Sequence, residues 1–580
     1  MISGESTKIQ ELVHSVELGS LKSFVIKAVL VLSVAGLVTL YLLYNFRGLD
    51  TETAMDQAQI GRQIASGAGY STLYVRPLAI WQIIDAKEAV PPGIFPDTYN
   101  FPLNPALNAL LLRPVKRWWP MDPADVVYTC DRVIAAAGIL MFLASVAVTF
   151  YLVRSLFDRR VAWLTSGLML CTDMLWRFSV SGLPQMAMLL LFSFSFLLLH
   201  RAMEAREENR EGPMLLHLAG VALLLGLMTL AQPVASFVFA GFLAFVFLWF
   251  HPRTVSGLLV FFVYVGVVAP WLVRNYFVCG SPLGLGIYAI LDGTTGSEFS
   301  FMSNLQPDLV AFGAVRAKLR SGFTGQFENL FSYFGFNAAA PAFFFAMLHV
   351  FRRKITNMFR WCLALMWLGA ATGMSLFAPQ GAVSANQLHV LFLPLFIAFG
   401  LAFLLVLWNR LEINFPPLRS AFIGGIILIS AFPMAVNLLT APPMQIAWPP
   451  YAAPLINGLN RWMDPGDVIC SDMPWATAWY AGRTSLLLPS TVKQFTTLYD
   501  YKYLGGPITG LYLTPVSGSR PFLSQIAKGD YRGWANFILR RPESDPNFSS
   551  FPLQEYTPLP IDGECIFFSN RDRWTGGANP

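Results

Sequence analysis

Val133-Ile-Ala-Ala-Ala-Gly-Ile-Leu-Met-Phe-Leu-Ala-Ser-Val-Ala-Val-Thr-Phe-Tyr-Leu-Val153 runs without a charge and is followed at once by Arg154. About 20 mostly apolar residues make a helix long enough to cross the hydrocarbon of a bilayer. Working outward, similar runs precede it at Ala28 to Tyr44 and follow it at Val161 to Trp176, Leu183 to Leu199, Leu215 to Leu230, Val234 to Phe250 and Val255 to Val273. Four more lie at Ala338 to Val350, Trp361 to Phe377, Leu388 to Trp408 and Ala421 to Leu439. The pattern predicts a polytopic α-helical membrane protein with about eleven transmembrane helices. Composition agrees: 55% of the residues are hydrophobic and 13% charged, against roughly 25% charged in a soluble globular protein. A water-soluble enzyme of ordinary type is excluded.

The formal charge of +6 reflects Lys and Arg on cytoplasmic loops rather than a nucleic-acid partner, because basic loops stay inside. With the N-terminus inside, the inner loops carry Arg154, Arg159 and Arg160, then Arg201, Arg206 and Arg210, then Arg253, then Arg352, Arg353, Lys354 and Arg360, then Arg410 and Arg419. The alternate short loops hold almost none. An odd helix count puts the C-terminus outside a cytoplasmic (inner) membrane. Residues 1–27 read as a cytoplasmic N-terminus ahead of an uncleaved anchor. The six cysteines show no CxxC pair and no spacing suited to a metal.

Within a membrane module over 28–440, two long segments face outside, 45–132 and 276–337. Loops of that length are usually functional or disordered. The first contains a helical stretch, Met55 to Ser66, ended by Gly67 and Gly69. Beyond Thr440 the prolines 442, 443, 449 and 450 mark a linker. Residues 441–580 then alternate helix and strand signals, with strands at Val468 to Ser471, Ser485 to Leu488 and Ile508 to Leu513, which predicts an extracytoplasmic α/β domain.

Two clusters carry candidate chemistry. In the first, Glu52 and Asp56 are one helical turn apart on one face, and Arg62 follows. That pair reads either as a base with a partner or as a metal site; alternatively Asp50 and Glu52 only stabilise a helix N-terminus. The second, Pro270-Trp271-Leu-Val-Arg274-Asn275-Tyr276 with Gly280-Ser281-Pro282-Leu283 after it, ends the seventh apolar run. Arg274 there either snorkels to the interface or forks onto phosphate oxygens.

Asp56, Gly67, Gly69 and Tyr70, with the Pro-Trp-x-x-Arg-Asn-Tyr run, resemble the GT-C superfamily of membrane glycosyltransferases, which includes protein O-mannosyltransferases and lipid A aminoarabinose transferases. The order of parts agrees over nearly the whole chain. The resemblance implies transfer of a sugar from a polyprenyl-phosphate donor to a lipid, glycan or protein acceptor on the outer face, with membrane lipids around it. By the same resemblance Asp56 is the general base and Arg274 the donor-phosphate ligand, with Arg62 and Arg76 as weaker candidates. Many members carry Asp-Glu where this chain has Asp56-Gln57, and a second acid where it has Pro184-Gln185. Glu52, Asp173, Gln185 and His389 are therefore the candidates for a second site, and a divalent metal is a possible cofactor. Asp173 either stands in for the second acid or pairs with Arg177. His389 either contacts the donor or is a local hydrogen bonder. The alternatives are a non-catalytic subunit of a membrane complex, and a transporter, for which the expected inverted repeat is not seen.

Overall fold

The computed structural model describes residues 21–86, 94–122, 125–294, 300–307, 310–379, 381–413, 415–440, 453–499, 504, 506–518, 530–539, 548–558 and 565–573. Among these, six helices are long and apolar enough to cross a membrane: Thr129–Leu156, Gln185–Glu207, Glu211–Ala231, Arg253–Cys279, His389–Arg410 and Pro416–Thr440. Shorter apolar helices cover Val31–Leu43 and Ala235–Trp249, and Lys354–Phe377 forms a further 24-residue helix. The large apolar side chains these helices leave outside, such as Leu140, Leu216, Phe262 and Leu428, face where lipid would be. The protein is embedded in a membrane.

Two of the expected spanning helices are not continuous. The Val161 to Trp176 run is split into Arg159–Leu170 and Asp173–Val180. Where the first piece stops, the Leu170 carbonyl accepts the Trp176 indole N–H at 2.8 Å, and Thr172 donates back to Leu168 at 2.7 Å. The Ala338 to Val350 run contains only a five-residue helix, Ala342–Ala346, far short of the ~20 residues a spanning helix needs. The chain nevertheless passes from one end of the bundle to the other here. Asn337 donates to Thr172 at 3.1 Å, whereas Arg353 and Thr356 donate to the carbonyls of Ser155 and Leu156 at the opposite end. Irregular backbone at that depth survives only when buried in protein with its polar groups bonded. Here the Asn337 side-chain oxygen accepts from the N–H groups of Ala339 and Ala340, and Arg360 donates to the carbonyls of Ala346 and His349.

The strands, in chain order, are β1 (Ser71–Thr72), β2 (Tyr74–Val75), β3 (Phe95–Pro96), β4 (Val468–Ser471), β5 (Thr484–Leu487), β6 (Ile508–Leu513), β7 (Glu555–Pro558) and β8 (Ile566–Ser569). Strands β1 and β3 form a two-stranded ribbon, and the others a six-stranded sheet in the order β2-β5-β4-β6-β8-β7. β2, β5, β4 and β6 are parallel, and β8 pairs antiparallel with both β6 and β7. The edge strand β2 belongs to the first long loop, so the α/β sheet begins not at residue 441 but at Tyr74. Cys470 and Cys565 are both buried in this unit and form no disulfide.

Candidate active site

The helix carrying the first cluster spans Glu52–Ser66, capped by Thr51, whose side chain accepts from the Ala54 N–H at 3.3 Å, and closed by Gly67 in the left-handed region. It packs against the Leu103–Leu112 helix so closely that a Cβ at Gly61 would lie 2.7 Å from that of Asn108. Asp56 faces inward, 1% exposed. Its Oδ2 accepts from Arg76 Nη2 at 2.6 Å and from Asn100 Nδ2 at 2.7 Å, and its Oδ1 from Gln59 Nε2 at 3.0 Å. A carboxylate offers about four lone-pair sites, so one direction at Oδ1 is unused among the described residues.

Arg76 is the next residue after β2. Its guanidinium lies between the rings of Tyr74 and Tyr99, 3.9 and 4.0 Å from their centroids, with Asp97 at 3.9 Å beyond. Asp97 Oδ1 accepts the N–H groups of Tyr99 and Asn100. Burial pushes the Asp97 carboxyl up to about 6, the Asp56 charge adding and Arg76 opposing. Gln57 occupies the position next to Asp56 with amide chemistry throughout: it accepts from Asn104 at 2.6 Å and donates to Asn100 Oδ1 at 3.4 Å. A chain of donors thus runs Asn104, Gln57, Asn100, Asp56.

Above this network lies a cavity of about 120 Å³, lined by Glu52, Tyr74, Arg76, Tyr99 and Asn100 from the first loop, Gln232 and Asn386 from the bundle, and Asp292 and Met302 from the second loop. Tyr74 donates to Glu52 at 3.1 Å. The Glu52 carboxyl is raised by burial, with Arg76 opposing, and that of Asp292 is raised by burial against hydrogen bonds from Phe301 N and Ser300. The i, i+4 pairing of Glu52 with Asp56 is therefore realised, with Glu52 on the cavity wall and Asp56 behind it.

The other expected residues are placed elsewhere. Arg62 is six residues beyond Asp56, about 120° away around the helix; it donates to the Ala478 carbonyl at 2.9 Å and covers the Trp479 ring. Arg274 is half-buried, donating to the backbone carbonyls of Asp97 (2.5 Å) and Tyr70 (3.3 Å), which ties its helix to the first loop. Asp173 accepts from Tyr41 at 2.5 Å and Asn437 at 2.9 Å, and no ion pair with Arg177 occurs among the described residues. Gln185 clamps the carbonyls of Ser384 and Ala385, holding the stretch that supplies Asn386 to the cavity. His389 is a buried core residue that accepts from Trp367 and stacks on Tyr333. Among the described residues no three His, Cys, Asp or Glu side chains come together as a metal site would require, and Gln57 and Gln185 supply no charge to one.

Asp97, Asn100 and Asp292 carry no signal in the sequence that marks them for this site. The Pro96-Asp97-Thr98-Tyr99-Asn100 segment has the composition of an Asx turn, but nothing local says that it folds back onto a helix 40 residues earlier.

No protein family and no curated protein matches the sequence. Solved structures do. The oligosaccharyltransferase of Archaeoglobus fulgidus, in its complex with zinc and sulfate, gives a TM-score of 0.53 at 13% identity, over 93% of this chain and 73% of that one. The same protein tethered with an acceptor peptide containing the NVT sequon gives 0.51 at 12%, over 91% and 70%. ArnT from Cupriavidus metallidurans bound to undecaprenyl phosphate gives 0.50 at 12%, over 94% and 98%. The chain shares the fold of these two proteins. At such identities the likeness is one of architecture. In this chain the cavity beside Asp56 and Arg76 lies between the first loop, the second loop and the helix bundle, with Tyr74 of the edge strand β2 on its wall.

Proposed function

We propose that the protein is a glycosyltransferase that moves a sugar from a polyprenyl-phosphate carrier to an acceptor at the extracytoplasmic face of the cytoplasmic membrane. The observation that carries this reading is the buried Asp56–Arg76 pair against the wall of a cavity at the mouth of an apolar bundle. The acceptor hydroxyl attacks the anomeric carbon, the bond from that carbon to the phosphate oxygen breaks with its electron pair going to phosphate, and the hydroxyl proton passes to Asp56. A general base needs an open lone pair within hydrogen-bond reach of the proton; Asp56 Oδ1 has one lone pair unused among the described residues, one layer behind the cavity wall, so an acceptor reaches it once the wall side chains move aside. Negative charge grows on the leaving phosphate, which calls for a fixed cation. Arg76 lines the cavity and suits that role better than Arg274, whose guanidinium is committed to two carbonyls of the first loop. Arg274 then acts as a positioning residue, and the sheet that starts at Tyr74 covers the acceptor side.

The test is transfer of labelled sugar from a panel of polyprenyl-phosphate sugars to membrane extracts by the purified protein. Asp56→Asn should lower transfer by at least ~100-fold, and Arg76→Ala by a similar factor, with melting temperatures recorded to confirm folding. No transfer from any donor by the wild type, or full activity in Asp56→Asn, would overturn the assignment and favour a non-catalytic subunit.

A further inference from the structure

At the end of the bundle away from Asp56 a second cavity, of about 560 Å³, opens between the last turn of Thr129–Leu156, the start of Arg159–Leu170, the end of the irregular crossing and the far end of His389–Arg410. Arg160, Arg352, Arg353 and Arg419 line it. They come from three separate stretches of chain, and no ion pair among the described residues involves any of them. The acid on its wall, Asp158, is engaged in capping the Val161 N–H at 2.8 Å. The floor is apolar, with Phe157 and Phe351 in edge contact at 5.6 Å. It continues onto bare hydrocarbon: Val350 at the rim is 74% exposed and Leu348 beside it 87%.

Basic residues on inner loops are ordinarily just solvated, keeping their side in the cytoplasm. Four arginines converging on one concavity, over an apolar floor open to the lipid side, are a different arrangement. We propose that this cavity binds the phosphodiester headgroup of an anionic phospholipid of the cytoplasmic leaflet, with an acyl chain laid along the floor. Guanidinium forks match phosphate oxygens, and basic pockets between transmembrane helices on that side take anionic headgroups. A soluble anion would find the same charges but would gain nothing from the exposed Val350 and Leu348.

The test uses the full-length protein, stripped of lipid in detergent and titrated with phosphatidylglycerol, phosphatidylcholine or inorganic phosphate, while native mass spectrometry counts retained ligand. Phosphatidylglycerol should bind at least ten-fold more tightly than phosphatidylcholine, and Arg160→Glu with Arg352→Glu should remove that preference. Arg201→Glu with Arg210→Glu, an equal charge change on the same side outside the cavity, should leave it intact. If the double reversal does not fold, Arg160→Gln with Arg352→Gln provides the same reading. Equal retention of the two lipids, an equal loss in the control pair, or competition by inorganic phosphate at the concentration of the lipid would overturn the proposal.

Discussion

Asp56 is held by partners from three parts of the chain: Gln59 on its own helix, Arg76 after β2, and Asn100 in the turn that follows β3. A buried carboxylate is tolerated when it is paired and hydrogen-bonded, and these donors fix its orientation while leaving Oδ1 partly open. The candidacy of Asp56 is legible in the sequence because helix periodicity and the glycines after it are local signals. The identity of its cation is not, since the sequence ranks Arg274 above Arg76, and the fold pairs Arg76 with Asp56 while Arg274 donates to backbone. Asp97 offers a check on the electrostatics. Its carboxyl titrates at about 6 in the folded chain against an ordinary 3.8, so between those values the native protein holds a proton that the unfolded chain has released. The stability it contributes is present at low pH and lost as pH rises through about 6. Asp97→Asn lacks that loss, and its melting temperature relative to wild type should therefore rise between pH 4 and pH 7. A relative melting temperature that falls instead would mean that Arg76 already keeps Asp97 ionised at pH 4.

At the scale of elements, the long apolar helices are legible because an uninterrupted apolar run of ~20 residues is rarely anything but a spanning helix. Strands β4 and β6 are legible to the residue, since β-branched runs bounded by Pro and Gly are equally local. The irregular crossing reads as a helix for the same reason in reverse. Ala338 to Val350 is apolar, but whether its backbone is helical depends on Asn337, Arg360 and Gly400, which lie at or outside its ends. Gly400 admits the crossing: a Cβ there would sit 1.9 Å from the Ala339 carbonyl oxygen, and backbone cannot step aside as a flexible side chain can. Gly400→Val should destabilise the fold by about 1–3 kcal/mol through overpacking. Because the Phe343 ring stacks on Phe396 at 4.0 Å in the same seam, faster hydrogen exchange should appear first in 339–351. A Gly400→Val protein that melts with the wild type and exchanges no faster there would show that the seam has slack.

On the scale of the whole molecule, the question is what holds the α/β sheet to the membrane module. A linker alone would supply only effective concentration, and the sheet could then swing away. The structure contains a joint as well. Ser485 N–H donates to the Leu73 carbonyl at 2.7 Å where β2 pairs with β5, and Arg62 donates to Ala478. Trp479 and Tyr480 both donate to the buried Asp131 carboxylate, at 2.7 and 2.8 Å. Such a joint, formed between residues 348 and 349 positions apart in the chain, has no local signature, which is why the prolines after Thr440 look like a domain boundary. It leads to a prediction that a tethered domain would fail. With a protease site placed within residues 441–452 and cut after purification, the C-terminal fragment should still co-elute with the membrane module on size exclusion in detergent. Asp131→Ala combined with Arg62→Ala should release it after cutting, because truncating the acceptor leaves the buried Trp479 donor unsatisfied, at about 1–3 kcal/mol, and removes the Tyr480 bond to Asp131 and the Arg62 bond to Ala478. Release of the wild-type fragment on cutting would mean that the linker carries the attachment and that the joint at Asp131 contributes little.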